Sequence, residues 1–461
     1  MTQETTPTAV PTTQAERILI LDSLRGFAVL GILLMNIPGF AMPRIAFFHP
    51  TLMDNFTGVN FYAWYSVEWF LEGSQRALFS MLFGAGMLLF ISRLEDRMKG
   101  LQPAELYFRR QLWLLFFGLV NAYVLLWFWD ILFCYAIFGM LLFAFRRLSP
   151  KPLLMAAAAC LVLQTARENV DLYRDKSTIR TGEAISRIDT TRTPLTAFQK
   201  DRLEEYQGLK KQTSPEAMKE RMERNLRDVQ GPYARLYANH SEVSMQGETT
   251  AIFHFLFFDV LLFMFIGMAF YKNGILTGQH KASTYWILFA GGMGIGLLLS
   301  YWRINLQFRY HFNAFDHAKF VAFDFYELSR TFRALGIFGG IMLLHKWGAF
   351  RWLFRLMRPV GQMAFTNYLM QSLLCGLFFY GVGFGYFGKL QLYQTYYVVA
   401  AVWAIEIVWS HLWLRHFRFG PLEWAWRSLT YWKWQPIRKA PALQAVVPAG
   451  KEAEEPAVAQ H

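Results

Sequence analysis

The first residues that could do chemistry are an aspartate and an arginine at the start of an apolar segment. Asp22 and Arg25 stand three residues apart within LDSLRG at 21–26, and this spacing puts both side chains on one face of a helix. A guanidinium binds phosphate or carboxylate through two parallel hydrogen bonds. The pattern predicts either an anion site in which Asp22 holds Arg25, or an ion pair that only fixes this helix against its neighbours.

Two further polar residues come later in this segment and just after it. Asn36 follows Arg25 by eleven residues, about three helical turns, so the two side chains face nearly the same side of a helix. A lone asparagine in this setting more often bonds a neighbouring helix. His49, in FFHP at 47–50, is suited to take a proton from a hydroxyl or amine near neutral pH. A solvated histidine is the alternative.

Charged residues also mark the beginnings of later segments. Glu68, Glu72 and Arg76 are spaced by four, which predicts one helical stripe paired along its own helix. Asp130 follows Trp129 at the turn between two apolar segments. An ionisable group at the bilayer centre costs about 2.5–3.5 kcal/mol on insertion scales, so each such residue needs a partner or a function.

The deepest carboxylates in apolar segments are Asp259 and Glu406. Either can be protonated rather than paired. Glu327, Arg330 and Arg333 enter another apolar segment with a spacing that ion pairing within one helix explains.

The composition assigns the chain to membrane proteins. Of 461 residues, 54% are hydrophobic and only 17% are charged, which is too little polar surface for soluble domains of this size. The net charge of +13 comes from basic residues gathered in short connections between apolar runs, so nucleic acid is not an expected partner. Cys134, Cys160 and Cys375 lie inside apolar runs without the spacing of a disulfide framework or a metal site.

The apolar runs predict an all-α polytopic transmembrane bundle of about ten spans, since 18 to 23 residues cross about 30 Å of hydrocarbon. The aromatic stretch 59–72 is predicted to be an interfacial helix. The predicted spans are 18–40, 74–92, 109–129, 130–148, 151–167, 250–272, 284–302, 328–346, 361–381 and 393–414.

Every second connection is short and basic, which places both termini in the cytoplasm of a bacterium whose inner membrane holds the protein. The long charged segment, with helical apolar spacing, is expected to form a periplasmic subdomain. The predicted organisation is a polar leader (1–16), an N-terminal membrane bundle (17–167), a periplasmic helical insert (168–249), a C-terminal membrane bundle (250–420), and an amphipathic segment with a disordered tail (421–461).

Five segments together resemble the YeiB family of bacterial membrane proteins, and the likeness extends over nearly the whole chain apart from the leader, the insert and the tail. The resemblance implies the same polytopic fold, and it adds Asn367 and Gln371 to the candidate site residues. The segments are LDSLRGF (21–27), ALFSMLFGAG (77–86), DILFCYA (130–136), GQMAFTNYLMQS (361–372) and GPLEWAWR (420–427).

The YeiB family is in turn similar to transmembrane acyltransferases, including the lysosomal heparan-α-glucosaminide N-acetyltransferase and bacterial enzymes that O-acetylate surface polysaccharides. Arg25 matches an arginine of the polysaccharide enzymes, whereas Asn36 stands where they have histidine. The glucosaminide enzyme also has asparagine there, and it places a functional histidine in the loop that His49 occupies in this chain. The resemblance implies donor binding by Arg25 with Asp22, and His49 as a general base.

These expectations combine into a membrane acyltransferase without a metal. Acyl-CoA, most simply acetyl-CoA, docks from the cytosol with its phosphates near Arg25, and Asn36 helps to stabilise the oxyanion. The acceptor is an envelope glycan, lipid or small molecule with a hydroxyl or amine. A transporter or lipid-handling protein on the same scaffold is the alternative, because the span-one histidine is missing and Asp259 and Glu406 could carry protons. A sensor using the insert is a third class, and a homo-oligomer is left open.

Overall fold

The computed structural model describes residues 18–52, 56–191 and 193–439. The predicted leader and most of the predicted disordered tail lie outside these ranges. Within them the chain folds almost entirely into helices, and the only extended pairing is an isolated bridge between Phe417 and Arg438. The prediction of an all-α membrane bundle is confirmed.

The α-helices are numbered in chain order. They are α1 (Leu19–Ala41), α2 (Arg44–Phe48), α3 (Gly58–Phe70), α4 (Ser74–Arg97), α5 (Gln102–Tyr123), α6 (Leu132–Phe145), α7 (Pro150–Ser186), α8 (Ala197–Gln212), α9 (Pro215–Val229), α10 (Tyr233–Gln246), α11 (Phe257–Lys272), α12 (Ala282–Arg309), α13 (Ala314–Phe320), α14 (Tyr326–Lys346), α15 (Arg351–Gln362), α16 (Ala364–Phe379), α17 (Leu392–His416) and α18 (Pro421–Tyr431).

Each of the ten predicted spans contains a helix. Five of these spans contain helices that are either short or more polar. The short apolar helices are α6 and α16, and the more polar ones are α5, α7 and α14. The described helical stretches that are long and apolar enough to cross a membrane are Leu19–Ala41, Gly58–Arg97, Tyr233–Lys272, Ala282–Arg309 and Leu392–His416.

Successive long helices alternate in direction, so the bundle has two ends. We call the end at which α1 begins and α4 ends the basic end, because Arg93 and Arg97 in the last turns of α4 and Arg146 and Arg147 after α6 lie there. α15 and α18 also lie at this end, packed on α1 and on α5 respectively. A Cβ atom on Gly361 of α15 would overlap the carbonyl oxygen of Asp22. Only glycine allows the two backbones to come this close.

Two predicted spans are interrupted. α5 ends at Tyr123, and residues 124–131 form a loop. Leu126 in this loop has a φ of 59°, and the backbone N–H of Trp127 donates to the Asn121 carbonyl oxygen at 3.0 Å. The predicted ninth span breaks at Met363, between α15 and α16. There the Asn367 side chain donates to the Val360 carbonyl oxygen at 3.1 Å, so a polar side chain satisfies a carbonyl near the break.

The opposite end carries a helical cap of α8, α9, α10 and α13. Residues 168–249 are mostly helical, but α7 runs through the predicted boundary at 167/168 without a break. A π-helical segment, Gly247–Leu256, joins α10 directly to α11. The cap and the bundle therefore share two continuous helices.

The predicted stripe of Glu68, Glu72 and Arg76 is wrong. Gly73 has a φ of +68°, a left-handed conformation that ends the α3 segment and starts α4 in a new direction. Each of the three side chains consequently pairs with a residue on another helix.

Candidate functional site

A cavity of about 240 Å³ opens at the basic end. All five sequence segments that carry the family resemblance contribute to its lining, although they lie on α1, α4, α6, α15 with α16, and α18. We call it the arginine cavity, because four arginines line it together with two carboxylates: Arg25, Arg93, Arg110 and Arg427, with Asp22 and Glu423.

The predicted pair of Asp22 and Arg25 is present. The Arg25 Nη1 donates to the Asp22 Oδ1 at 3.3 Å, and the Arg25 side chain keeps 31% of its surface exposed. A Cβ atom on Gly86 would lie 2.9 Å from the Arg25 Nη2, so a glycine on α4 makes room for the guanidinium. Asp22 therefore orients Arg25 without covering it.

Arg110 of α5, which was not among the candidate residues predicted from the sequence, also lines this cavity. Its guanidinium is 3.6 Å from the ring centroid of Trp426 and 4.8 Å from that of Phe90. Its Nε is buried without a hydrogen-bond partner, and within the described ranges no carboxylate forms an ion pair with it. Arg25 and Arg427 lie close enough to repel it. A cation held by aromatic rings among like charges is a strong site for an anion.

The Glu423 carboxylate accepts hydrogen bonds from the first turn of α16. Its Oε1 accepts the backbone N–H groups of Phe365 at 2.8 Å and Thr366 at 3.0 Å, and its Oε2 accepts the Thr366 hydroxyl at 2.5 Å. A carboxylate at a helix N-terminus is stabilised by the helix dipole and by these unpaired donors. Glu423 thus fixes α18 to α16, and both of its oxygens are engaged by donors of α16.

The deeper wall of the cavity is apolar and aromatic. Phe79, Leu82, Met87 and Leu114 contribute to it. An arginine-rich mouth above an apolar floor matches an amphipathic anion, with an acidic group at the surface and an apolar or uncharged arm inside.

Asp130 lies behind the inner end of the cavity, in the loop 124–131. Its Oδ1 accepts from the Asn121 amide at 2.7 Å and from the Tyr368 hydroxyl at 3.4 Å, and its Oδ2 accepts from the Phe133 N–H at 2.9 Å. Tyr368 itself lines the cavity, as does Tyr135. The structure therefore connects this predicted site residue to the cavity through one tyrosine.

His49 and Asn36 are not brought to the arginine cavity. Asn36 stands about 16 Å along α1 from Arg25, at 1.5 Å per residue, and His49 lies beyond the far end of α1, after α2. Burial lowers the pKa of His49, and a hydrogen bond to the Phe312 backbone opposes this shift. A smaller cavity beside that loop is lined by Phe47, Pro50 and Glu68, among others.

The remaining charged candidates form a buried ionic network toward the cap. Asp259 is bonded by Arg330 and lies 2.7 Å from Arg76, while Arg330 also binds Glu327 at 2.8 Å. Asp259 is therefore paired. Glu68 pairs with Arg303 on another helix. The pairing within one helix that was predicted for Glu327 and Arg330 is present, whereas Arg333 pairs with Glu72.

Asn367 and Gln371 join helices away from the cavity lining. The Asn367 amide donates to the Ser410 hydroxyl at 3.0 Å, and the Gln371 amide donates to the Val29 carbonyl at 3.0 Å and to Glu406 at 3.1 Å. Glu406 has no ion pair within the described ranges. Both amides hold α16 against its neighbours.

No group of three or more metal-ligating side chains is found among the described residues. Cys134, Cys160 and Cys375 are free and buried.

The fold and the cavity define a polytopic helical membrane protein with an arginine-lined site at one end. Comparison with known proteins then gives the family. The chain is 32% identical to YxaH, an uncharacterised protein of Bacillus subtilis (strain 168), over 93% of this chain and 98% of that protein. It is 29% identical to YeiB, an uncharacterised protein of Escherichia coli (strain K12), over 90% of this chain and 96% of that protein.

The chain belongs to the family of YxaH and YeiB, so the resemblance predicted from the five segments is confirmed. A family described as "Protein of unknown function (DUF418)" matches residues 270–433, which include α15, α16 and α18. No solved structure matches the chain. None of these names states an activity.

Proposed function

We propose that the protein is a membrane acyltransferase that binds acyl-CoA in the arginine cavity. The observation that carries the proposal is the position of Arg110. Its part-buried guanidinium is stacked on Trp426 and has no carboxylate partner in the described structure. It lies beside Arg25 in a cavity whose other walls are apolar. Phosphates of the donor would bind the arginines, and the uncharged arm carrying the acyl group would extend toward Tyr135 and Tyr368.

The cavity volume of about 240 Å³ is below the 300–1,000 Å³ common for whole ligands. It therefore suits the arm and the nearest phosphates, with the nucleotide resting against the basic surface. The short basic connections support a cytosolic position for this end in a bacterial inner membrane. The acceptor, an envelope glycan, lipid or small molecule, would approach from the side of the cap.

Asp130 is the carboxylate best placed to serve the reaction, because Tyr368 links it to the inner end of the cavity. In the proposed step, Asp130 takes the proton of the acceptor hydroxyl or amine, whose oxygen or nitrogen attacks the thioester carbon. The carbon–sulfur bond breaks, and the CoA thiolate takes up the proton. His49, which lies beyond the far end of α1, would act as the general base only if the acyl-carrying arm of the donor extended along the whole length of that helix.

The test is binding of acetyl-CoA to purified protein in nanodiscs by calorimetry. We expect micromolar binding that is weakened at least tenfold in Arg110→Ala and Arg25→Ala. Arg355→Ala is the matched control, because Arg355 is an exposed arginine of the basic end that does not line the cavity. Equal affinity in all three variants, or no binding by the unaltered protein, would contradict the proposal.

A transport or lipid-handling function is favoured by a different observation. Glu406 on α17 is 1% exposed, and its side chain is bonded by the Gln371 amide alone among the described residues. A buried carboxyl without a cation is a feature of proton-coupled transporters. Proton-dependent substrate flux into proteoliposomes without acyl-CoA, abolished in Glu406→Gln, would support this second function.

A further inference from the structure

The arginine cavity is long rather than wide. Its lining follows α4 from Phe79 at the inner end to Arg93 at the basic end, and this stretch is about 21 Å long at 1.5 Å per residue. A volume of about 240 Å³ distributed over such a length leaves a narrow channel. Arg110 lies beside Phe90, at 4.8 Å from its ring centroid. Measured along α4, the distance from that level to Phe79 is therefore about 16 Å.

This length matches the thioester arm of a phosphopantetheine group. An extended chain advances about 3.3–3.6 Å for every three bonds, so the arm, with about 13 bonds between its phosphorus and sulfur atoms, reaches about 15 Å. With the phosphate on Arg110, the sulfur atom would lie close to Phe79, Tyr135 and Tyr368 at the inner end. A nucleotide attached to the same phosphate would lie outside the lining, on the solvent side of Arg110.

The charges around Arg110 fit one phosphate group. Asp22 already binds Arg25, and Glu423 is bonded to the start of α16, so neither carboxylate neutralises Arg110. In the part of the chain that the structure describes, the Arg110 Nε is buried without a hydrogen bond, and Arg25 and Arg427 lie close enough to repel the guanidinium. A guanidinium binds phosphate through two parallel hydrogen bonds, and a second arginine nearby adds to the attraction.

Gln362 offers a hydrogen-bonding group along the path of the arm. It lines the cavity at the break between α15 and α16, and it is half-buried. Its neighbour Gly361 lies against Asp22 near the basic end, whereas Tyr368 lies further inward on α16. Among the described residues, none forms a hydrogen bond with the Gln362 side-chain amide. An amide both donates and accepts, so Gln362 can bond one of the two amide groups of a pantetheine arm.

We propose that the arginine cavity recognises the phosphopantetheine part of an acyl thioester and not the nucleotide. This inference rests on the proposed acyl transfer and defines the donor by the group that the cavity can hold. One phosphate binds Arg110 and Arg25, the arm passes Gln362, and the thioester lies at the inner end. Coenzyme A and an acyl carrier protein both carry this group, so they are two sources of the same ligand chemistry.

The first test compares acetyl thioesters by calorimetry with the full-length protein in nanodiscs. Acetyl-4′-phosphopantetheine should bind within about threefold of acetyl-CoA, because it keeps every part that the cavity contacts. Acetylpantetheine, which lacks the phosphate, should bind at least about tenfold more weakly. This difference should disappear in Arg110→Ala and persist in Arg355→Ala. Adenosine 3′,5′-bisphosphate, which has the nucleotide without the arm, should not compete.

The outcomes separate this inference from the proposed function. If acetyl-CoA binds but acetyl-4′-phosphopantetheine binds more than about tenfold more weakly, or if the bisphosphate competes, the inference is overturned and the donor site stands. If neither thioester binds, both proposals fail. Binding of acetyl-4′-phosphopantetheine alone would support the inference and exclude acetyl-CoA as the donor.

A second arm of the experiment distinguishes the two sources. An acetylated acyl carrier protein is added to the nanodiscs, and the same carrier protein without its phosphopantetheine is the control. Binding that requires the phosphopantetheine supports the inference with the carrier protein as a source. If neither form of the carrier protein binds while acetyl-4′-phosphopantetheine does, the inference is supported with CoA as the source. Equal binding of both forms would overturn the inference, because the contact would then not depend on the group that fits the cavity.

Gln362→Leu tests the contact with the arm separately from the charge. Loss of one neutral hydrogen bond should weaken acetyl-4′-phosphopantetheine binding about two- to twelvefold. Inorganic phosphate, which lacks the arm, should compete equally well in the variant and in the unaltered protein. Gln102→Leu is the matched control, because Gln102 is exposed at the start of α5 and does not line the cavity. Unchanged thioester affinity in Gln362→Leu would overturn the path of the arm along α15.

Discussion

The Trp426 indole N–H donates to the Arg110 carbonyl oxygen at 2.9 Å while the Arg110 guanidinium lies 3.6 Å from the centre of the same ring system. One tryptophan of α18 therefore fixes both the backbone and the charge of an arginine on α5. This arrangement orients the cation toward the cavity without an acidic partner that would compete with a ligand.

Replacing Trp426 is expected to weaken the anion site without removing any charge. In Trp426→Leu the guanidinium loses its aromatic support, worth about 0.5–2 kcal/mol, and acetyl-CoA affinity should fall about two- to thirtyfold by calorimetry. Trp434→Leu, at an exposed tryptophan of the same end, is the control. Affinity unchanged in Trp426→Leu would show that the stacking does not matter for binding.

Glu423→Gln should loosen α18 from α16. The carboxylate accepts three hydrogen bonds at the start of α16, and bonds to a charged group contribute about 1.5–3 kcal/mol each at most. A lower thermal unfolding midpoint in nanodiscs is the expected result. Glu105→Gln is the control, because the Glu105 side chain is 62% exposed in its pair with Arg109, and this change should leave the unfolding midpoint unchanged. An equal shift of the midpoint in both variants would contradict the role of Glu423.

Arg330→Leu should destabilise the protein severely. Arg330 is fully buried against Asp259 and Glu327, and removing one partner of a buried pair costs about 3–5 kcal/mol because the remaining charges are uncompensated. Folded yield by size-exclusion chromatography measures the effect. Adding Glu327→Gln to the variant should recover part of the yield, because Asp259 keeps its pair with Arg76; failure to recover any would argue that Arg330 acts through packing instead.

Gly361→Ala should separate α15 from α1 and lower both yield and acetyl-CoA binding. The added methyl group would overlap the Asp22 carbonyl, and backbone atoms cannot move aside cheaply in a packed interior. Gly294→Ala is the matched control, since nothing lies within 4 Å of its Cβ position. Normal yield and binding in Gly361→Ala would mean that the two helices tolerate a wider spacing.

His240 should make the fold less stable as the pH falls. Its pKa is about 3 in the folded chain and near 6.5 when exposed, so between these values the unfolded chain binds one more proton, and stability declines below about pH 6.5. From pH 6.5 to pH 5 the loss is about 2 kcal/mol. The unfolding midpoint measured at both pH values should drop less in His240→Phe; an identical drop would show that other groups cause it.

The sequence alone determined the membrane class, the helical fold, the family and the pair of Asp22 and Arg25. These features depend on local spacing and composition, because an apolar run long enough to cross a bilayer must form a helix, and an i,i+3 pair must share one face. The five family segments were also visible in the chain. The order of these five segments along the sequence did not show that they meet around one cavity.

Only the tertiary structure decided which residues meet. Arg110 and Trp426 are 316 residues apart, and their contact depends on the way α18 returns to α5. Gly73 turned a predicted stripe of Glu68, Glu72 and Arg76 into pairs with three other helices, because one left-handed residue redirects the chain. The remoteness of His49 from Arg25 and the burial of His240 against Phe128 likewise follow from helix packing, which couples residues without regard to their separation in sequence.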